Sequence, residues 1–311
     1  MTSRQEEAYA RELTRRHRKG RIFCATCFAS TWLAVAVLAV LLIGVCVQAF
    51  GWLDWAFLTS FQSDTAEESG ILAGLWGSFW LILYTGLISI PVGVGAAIYL
   101  EEFASDNRLT RLIRVNLANL AGVPSIVYGI LGLTVFVRLM SLDRSVIAGA
   151  MTLSLLILPV IIVASQEALR GVPASLRHAS LALGATQWQT VRRQVLPAAA
   201  PGILTGIILS ISRAMGETAP LVIVGALAFV QATPGRINSP IDFVTKSEEI
   251  SHIPFDRFTA LPMQIYQWAT DSRAEFQQLA AAGILVLLAV LLMMNGVAIL
   301  IRYRAQKSAR W

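Results

Sequence analysis

The chain has 311 residues, of which 56% are hydrophobic and only 14% charged, and its mean hydropathy is +0.64. A soluble domain carries about a quarter charged residues, so this deficit excludes an ordinary soluble globular protein and places lipid around much of the surface. The net charge of +6 does not mark a nucleic-acid binder: the basic residues lie in short segments between apolar runs and at both tails, without interleaved aromatics.

Residues 1–21 are a basic tail holding Arg4, Arg11, Arg15, Arg16, Arg18, Lys19 and Arg21. The apolar run from Phe28 to Phe50 is long enough to cross ~30 Å of hydrocarbon at ~1.5 Å per residue. It is too long for the core of a cleavable signal peptide, and no A-x-A site follows it. Cys24 and Cys27 form a C-x-x-C without the second pair that a four-ligand zinc site needs, so with Cys46 they read as small apolar thiols.

Further spans are predicted at about Ile71 to Leu100 (broken by Pro91), Leu120 to Met140, Val146 to Ser165, Gly202 to Val230 and Leu279 to Ile301. Six crossings put both tails on one side. The tails and even-numbered loops hold 18 Lys and Arg and the odd-numbered loops 5, so the positive-inside rule places both termini in the cytoplasm. Gly70-x-x-x-Gly74 and Gly202-x-x-x-Gly206 read as close helix packing within the subunit. Trp188, Tyr266 and Trp268 read as interfacial anchors, and His252 with Glu248 and Glu249 as a solvated outer loop.

The chain contains no G-x-x-x-x-G-K-[ST] loop, no H-E-x-x-H and no G-x-S-x-G, and Gly93-Val94-Gly95 lacks the third glycine of a dinucleotide fingerprint. Catalysis by this chain alone has nothing to support it. Chemistry must therefore be sought in two other places.

The first is the polar loop between the fourth and fifth spans. A short helix is predicted over Ser175 to Leu183, with Pro173 ahead of it and Gly184 as its stop. The sequence here resembles the permease subunits of ABC importers, whose signature is Glu-Ala-Ala, three residues, Gly, nine residues, a hydrophobic residue, any residue, Leu-Pro. His178-Ala179-Ser180 occupies the triplet, Gly184 the glycine and Leu196-Pro197 the end. His178 departs from the usual Glu and Gln194 from the hydrophobic position. The resemblance implies that this loop is a coupling helix docking on an ATPase.

The second is Arg213 with Glu217, four residues apart in the fifth predicted span. A charge at the bilayer centre costs about 2.5–3.5 kcal/mol on insertion scales, so such a pair is a functional-site candidate. Arg's planar fork suits an oxyanion such as phosphate. Glu217 would repel that anion and is assigned to orienting Arg213 or to opening the gate. Pro220 lets the helix bend there.

Arg213 with Gly216-Glu217-Thr218-Ala219-Pro220-Leu221 is similar to the A-type permease of the bacterial phosphate-specific (Pst) system. So are Ala121-Gly122-Val123-Pro124-Ser125-Ile126-Val127-Tyr128-Gly129 and the stretch from Ala260 to Ala280. The resemblance runs from about Ile71 to the end. It implies an all-α membrane protein of about six transmembrane helices with the type I ABC importer permease fold and a cytoplasmic coupling helix.

The chain would then comprise a cytoplasmic basic tail (1–21), a first transmembrane helix and outer loop (22–70), a permease core of five transmembrane helices (71–301) and a cytoplasmic tail (302–311). The function implied is half of a phosphate pathway in the inner membrane, with Arg213, Glu217, Thr218 and Ser125 on the pathway. His178, Ala179, Ser180, Gly184, Leu196 and Pro197 would couple to the ATPase. The implied partners are a C-type permease, a homodimeric ATPase carrying the ATP and Mg, an extracytoplasmic phosphate-binding protein and the lipid bilayer, with no nucleic acid. No cofactor or metal is expected in this chain. The alternatives are an ABC permease for another oxyanion, the sister phosphate permease, and a secondary transporter or anion channel that needs no ATPase.

Overall fold

The structure is a computed structural model that describes residues 3–226, 232–236, 242 and 251–308, with only the backbone of residues 3–15 and 305–308. Glu248, Glu249 and the predicted fifth helix beyond residue 226 lie outside the described residues. The regular structure of the described residues is helical, apart from an isolated bridge between Ser145 and Arg257.

Helix α1, Ser3–Ala49, carries the basic tail and the first span as one uninterrupted helix. At ~1.5 Å per residue it is about 70 Å long, more than twice the hydrocarbon thickness. Its thiols Cys24, Cys27 and Cys46 are exposed. After the short α2, Trp55–Thr59, comes α3, Leu72–Ile98, extended by a π-helical turn over Tyr99–Phe103.

The third predicted span is corrected by the structure. The segment Arg108–Leu120, read as the end of a loop because of its three arginines, is a helix, α4, capped by the Asn107 side chain accepting from Thr110 N at 2.8 Å. Val123-Pro124 then turns the chain by 105° into α5, Ser125–Gly132, continued in π geometry to Leu139. Pro124 forces extended geometry on Val123 and has no N–H to continue a ladder. From Ser125 to Leu139 this piece is about 22 Å long, short of a full crossing on its own.

Helix α6, Val146–Arg170, is the central span and shares its most extensive interface with α3. Buried clusters succeed one another along it. Val146, Ala150 and Leu153 meet Trp80, Leu81 and Phe258; Leu156, Ile157 and Ile161 meet Tyr128 and Ala214; Ile162 and Leu169 meet Ala97, Val195 and Ile203. Hydroxyls buried here bond to backbone carbonyls, as lipid-embedded helices require: Thr85 Oγ1 donates to Leu81 O at 2.7 Å, and Ser154 Oγ to Thr85 O at 3.2 Å.

Short α7, Ala174–Ala182, and α8, Gln187–Thr190, lead through a π turn into α9, Leu196–Gly216, followed by α10, Ala219–Val224. The chain closes with α11, Leu261–Ala269, and α12, Ala274–Ser308, against which α1 packs through Val45 and Ala49. Among the described residues, five helices are long and apolar enough to cross a membrane, or six if the bent α4–α5 pair is one span.

The Gly202–Gly206 pair does pack helices within the subunit. A Cβ on Gly202 would lie 2.7 Å from the Ala168 methyl, and one on Gly206 2.5 Å from that of Ala164, so α9 meets α6 backbone to backbone. Gly70 instead precedes α3 and abuts the Ser60 backbone. Trp188 and Tyr266 are exposed, as interfacial anchors would be, but Trp268 is not: it is buried with its ring centroid 6.0 Å from that of Phe57.

Candidate functional site

The fifth predicted span is two helices, not one. α9 ends at Gly216; Glu217 leaves helical geometry (φ −78°, ψ 122°), and α10 starts at Ala219 with Pro220 in its first turn. Pro220 cannot donate to a preceding turn and is favoured in the first turn of a helix, and the break falls just ahead of it, although Pro91 and Pro159 are carried inside continuous helices. Gly225, at φ +98°, ends α10 in the left-handed region that favours glycine.

Arg213 and Glu217 therefore close the end of a helix rather than occupy its middle. A cation in the last turn is favoured by the helix dipole. Glu217 Oε1 lies 3.4 Å from Arg213 Nε, so the acid grips the inner edge of the guanidinium, while the two Nη groups are at the tip of a side chain that is 49% exposed. Glu217 is 17% exposed. The pair is made within one chain segment, and no neighbouring span is needed to neutralise the cation. Its depth is set by Ala214, which packs with Ile157, near the middle of α6.

α5 packs on α10 at the break. A Cβ on Gly129 would lie 2.8 Å from Pro220 Cα, so glycine is what permits this approach. The same contact brings Tyr128 beside α9: it is buried with Ala214, and its hydroxyl donates to Leu120 O at 2.8 Å. Thr218 sits half-buried in the break, and Ser125, also half-buried, begins α5 one turn back from Tyr128. Arg213, Glu217 and Thr218 are thus gathered at one discontinuity, whereas α5 reaches it through Gly129 and Tyr128 and Ser125 stands a turn further off, at the start of α5. Tyr128 was not singled out from the sequence, although it lies in the quoted Val127-Tyr128-Gly129 stretch.

The loop between α6 and α9 forms the short helix predicted from its sequence, shifted by one residue. Pro173 caps α7, and Gly184 at φ +81° stops it one residue beyond Leu183, which is 90% exposed. Ser180 and Thr190 hydroxyls meet at 2.9 Å, and Thr186 and Gln189 form a reciprocal capping box that starts α8. Between α7 and the π turn lies a groove of about 350 Å³, walled by Leu176, Ala179, Leu183 and Gln194. His178 is exposed on the helix and is not one of the groove's lining residues. Leu196 turns inward onto the Ala97–Val195 cluster, while Pro197 is exposed in the first turn of α9.

Sequence reading missed the root of this loop. Glu101 and Glu102, in the π turn that ends α3, hold arginines from other elements: Arg170 Nε at 2.9 Å from Glu101 Oε1, and Arg177 Nη2 at 2.7 Å from Glu102 Oε1. Their partners are about 70 residues away along the chain, and no spacing rule reaches that far. The one available signal was two adjacent acids at the end of an apolar run that faces basic loops.

A membrane bundle with a broken, Arg-bearing span and a protruding helical loop defines a transport permease. The chain belongs to the family described as binding-protein-dependent transport system inner membrane component, which it matches over residues 89–306. It is an ABC permease subunit and a multi-pass membrane protein. It is 35% identical to the probable ABC transporter permease protein YqgI of Bacillus subtilis, over 70% of this chain and 78% of that one. It is 37% identical to the phosphate transport system permease protein PstA 1 of Mycobacterium tuberculosis H37Rv (69% and 71% covered) and 32% identical to PstA of Yersinia pestis (90% and 88%). In fold it matches a bacterial alginate ABC transporter solved with its alginate-bound periplasmic protein, at a TM-score of 0.59 and 16% identity, covering 92% of this chain and 96% of that one. It also matches the MetNI methionine ABC transporter, at 0.54 and 17%, covering 76% and 95%. These likenesses establish the type I importer permease fold.

Proposed function

We propose that this chain forms half of the pathway of an ATP-driven phosphate importer, with both termini in the cytoplasm. The carrying observation is Arg213: a half-exposed guanidinium at the end of a broken span, steadied on its Nε edge by Glu217 of its own segment. A cation placed only to staple the bundle would be buried against a neighbouring helix. One whose outer fork stays open suits a passing oxyanion. Thr218 and Ser125 offer hydroxyls nearby, and Glu217 orients the arginine and moves with the gate. The kinship with PstA permeases supports phosphate as that oxyanion.

Import needs a drive. Moving one negative charge inward against 100 mV costs about 2.3 kcal/mol, and phosphate carries between one and two charges near neutral pH. The energy would come from an ATPase dimer holding the ATP and Mg, docked on His178, Ala179, Ser180 and Gly184, with Leu196 and Pro197 anchoring the loop. A C-type permease would complete the pathway, and an extracytoplasmic binding protein would deliver phosphate. The tail, first-span and core division at residues 21, 70 and 301 is kept for this assembly, although α1 runs through the first boundary without a break.

A guanidinium recognises oxyanions as a class, and the name of the relative YqgI specifies no substrate, so another oxyanion is the second reading. The test is uptake of labelled phosphate by the reconstituted assembly, with and without ATP and the ATPase, and with excess molybdate or phosphonate. ATP-dependent uptake that molybdate and phosphonate leave intact supports phosphate. Uptake that survives removal of the ATPase contradicts the importer.

A further inference from the structure

We infer that Glu102, clamped by Arg177, is a positioning residue that ties the docking helix α7 to the inner end of α3, so that movement of the docking loop is passed to that span. The inference rests on the reading that the loop docks on an ATPase, and it names the joint through which that docking would act.

The joint is built from one carboxylate outward. Arg177 donates from Nη2 to Glu102 Oε1 at 2.7 Å and from Nε to Oε1 and Oε2 at 3.2 and 3.3 Å, so the contact is side-on, through the Nε–Nη2 edge of the guanidinium. The same guanidinium donates to Val172 O at 2.7 Å and Leu169 O at 2.9 Å, closing the turn that follows α6. From the other side of the loop, the Gln187 side chain donates to the Glu102 backbone carbonyl, and Trp188 packs on Phe103 with ring centroids 6.4 Å apart. Both flanks of the docking loop are therefore held at residues 102 and 103. Exposed residues such as Leu183 stay outward, available to a partner.

Burial sharpens the case. Glu102 is 8% exposed and Arg177 23%. A nearly buried ion pair contributes little net stability over apolar residues of the same shape, whereas removing one partner strands the other, so its distinctive effect is to fix register. Here the register fixed is that of an otherwise exposed helix, for no α7 residue is buried. Glu101, one residue earlier, takes Arg170 at 2.9 Å and stands 3.9 Å from Arg114, so the same turn also holds the end of α6 and reaches α4. From this turn α3 runs on to Val94 and Ile82, which pack in the cluster containing Ala214, the neighbour of Arg213. A push on α7 thus has a continuous route of packed groups to the broken span.

The experiment uses the full reconstituted assembly with its ATPase and reads phosphate moved per ATP hydrolysed in Glu102→Gln, Arg177→Gln, Arg177→Lys and the double Gln variant. A photo-crosslinking residue at Leu183 reports docking in each. The expected result is a retained cross-link everywhere and about a tenfold fall in transport per ATP in either Gln variant, within the usual range of coupling between sites. The double variant should be no worse than a single one, since the two residues act as one unit, and Arg177→Lys, which keeps the charge, should retain most coupling. Wild-type coupling in both single Gln variants overturns the inference. So does additive loss in the double variant, or loss of the cross-link in Glu102→Gln, which would make the pair a docking requirement instead of a transmission joint. Absence of the cross-link in the otherwise unaltered chain overturns the docking reading itself.

Discussion

Arg213 and Glu217 face each other at 3.4 Å on a half-exposed surface, and a pair of that kind contributes at most about 1 kcal/mol to stability once solvent screening is counted. Its effect on transport is expected to be larger, because the acid sets where the guanidinium fork points. Glu217→Gln should therefore lower the thermal stability of the purified chain by less than about 1 kcal/mol, yet reduce phosphate uptake by roughly tenfold, the scale of one charge-assisted hydrogen bond misplaced. Melting curves and uptake on the same preparation check this; parallel losses would make Glu217 merely structural. In the turn before α12, the Arg273 guanidinium donates to Asp271 at 2.9 and 3.0 Å and holds its carboxyl at about 2, against an ordinary value of 3.8. Because the folded value is depressed, that contribution is fully present above the unfolded value and is lost as pH falls toward 2. The turn before α12 should keep its protease resistance from pH 7 to pH 4 and lose it only in stronger acid, whereas an Asp271→Asn chain should show no such acid step.

At the scale of elements, the docking helix depends on one backbone conformation. Gly184 sits at φ +81° with open space around its Cα, so a side chain there meets no clash but must adopt a left-handed geometry costing about 1–2 kcal/mol. Gly184→Val should shift Leu183 and the groove beside it, and uncouple hydrolysis from transport or release the ATPase. Normal pull-down together with normal coupled hydrolysis would contradict the docking role. Gly206→Leu acts elsewhere: the added side chain strikes Ala164 where α9 crosses α6, and overpacking of this kind costs about 1–3 kcal/mol, which should appear as a lower melting temperature. The elements themselves were unevenly legible. Five spans follow from apolar length alone, and Pro173 and Gly184 bounded α7 to within a residue. The break at Glu217 was hidden because the residues on both sides of it are apolar, so hydropathy runs straight through; Pro220 signalled a bend, but not that the helix stops. α4 was masked by its arginines, whose charge reads as loop although their spacing leaves an apolar face. Glu102 and Arg177, 75 residues apart, meet only because α3 and α7 end at the same level, and nothing local encodes that.

At the scale of the whole molecule, the proposed assembly uses the bundle to turn docking on one side into a change at mid-membrane. α6 is the central post: its buried clusters meet α3, α5 and α9 in succession, while Glu102 lies in the π turn after α3 and Arg213 in the last turn of α9. The proposed topology has residues 1–21 and 302–311 in the cytoplasm, the side that positive-inside counting favours. Reporter segments fused at either terminus should be shielded from protease added outside intact cells, and cleavage of either would reverse the topology and with it the side on which α7 docks. The measurement that bears most directly on the central claim is ATP-driven phosphate uptake by the assembled transporter carrying Arg213→Gln or Arg213→Lys. The expected result is assembly at the normal level with uptake reduced roughly 10- to 100-fold in the Gln variant, the value of a charge-assisted contact to the anion, and a smaller loss in the Lys variant, which keeps the charge without the fork. Uptake at the wild-type rate in Arg213→Gln would contradict it, because the guanidinium would then have no part in moving the anion.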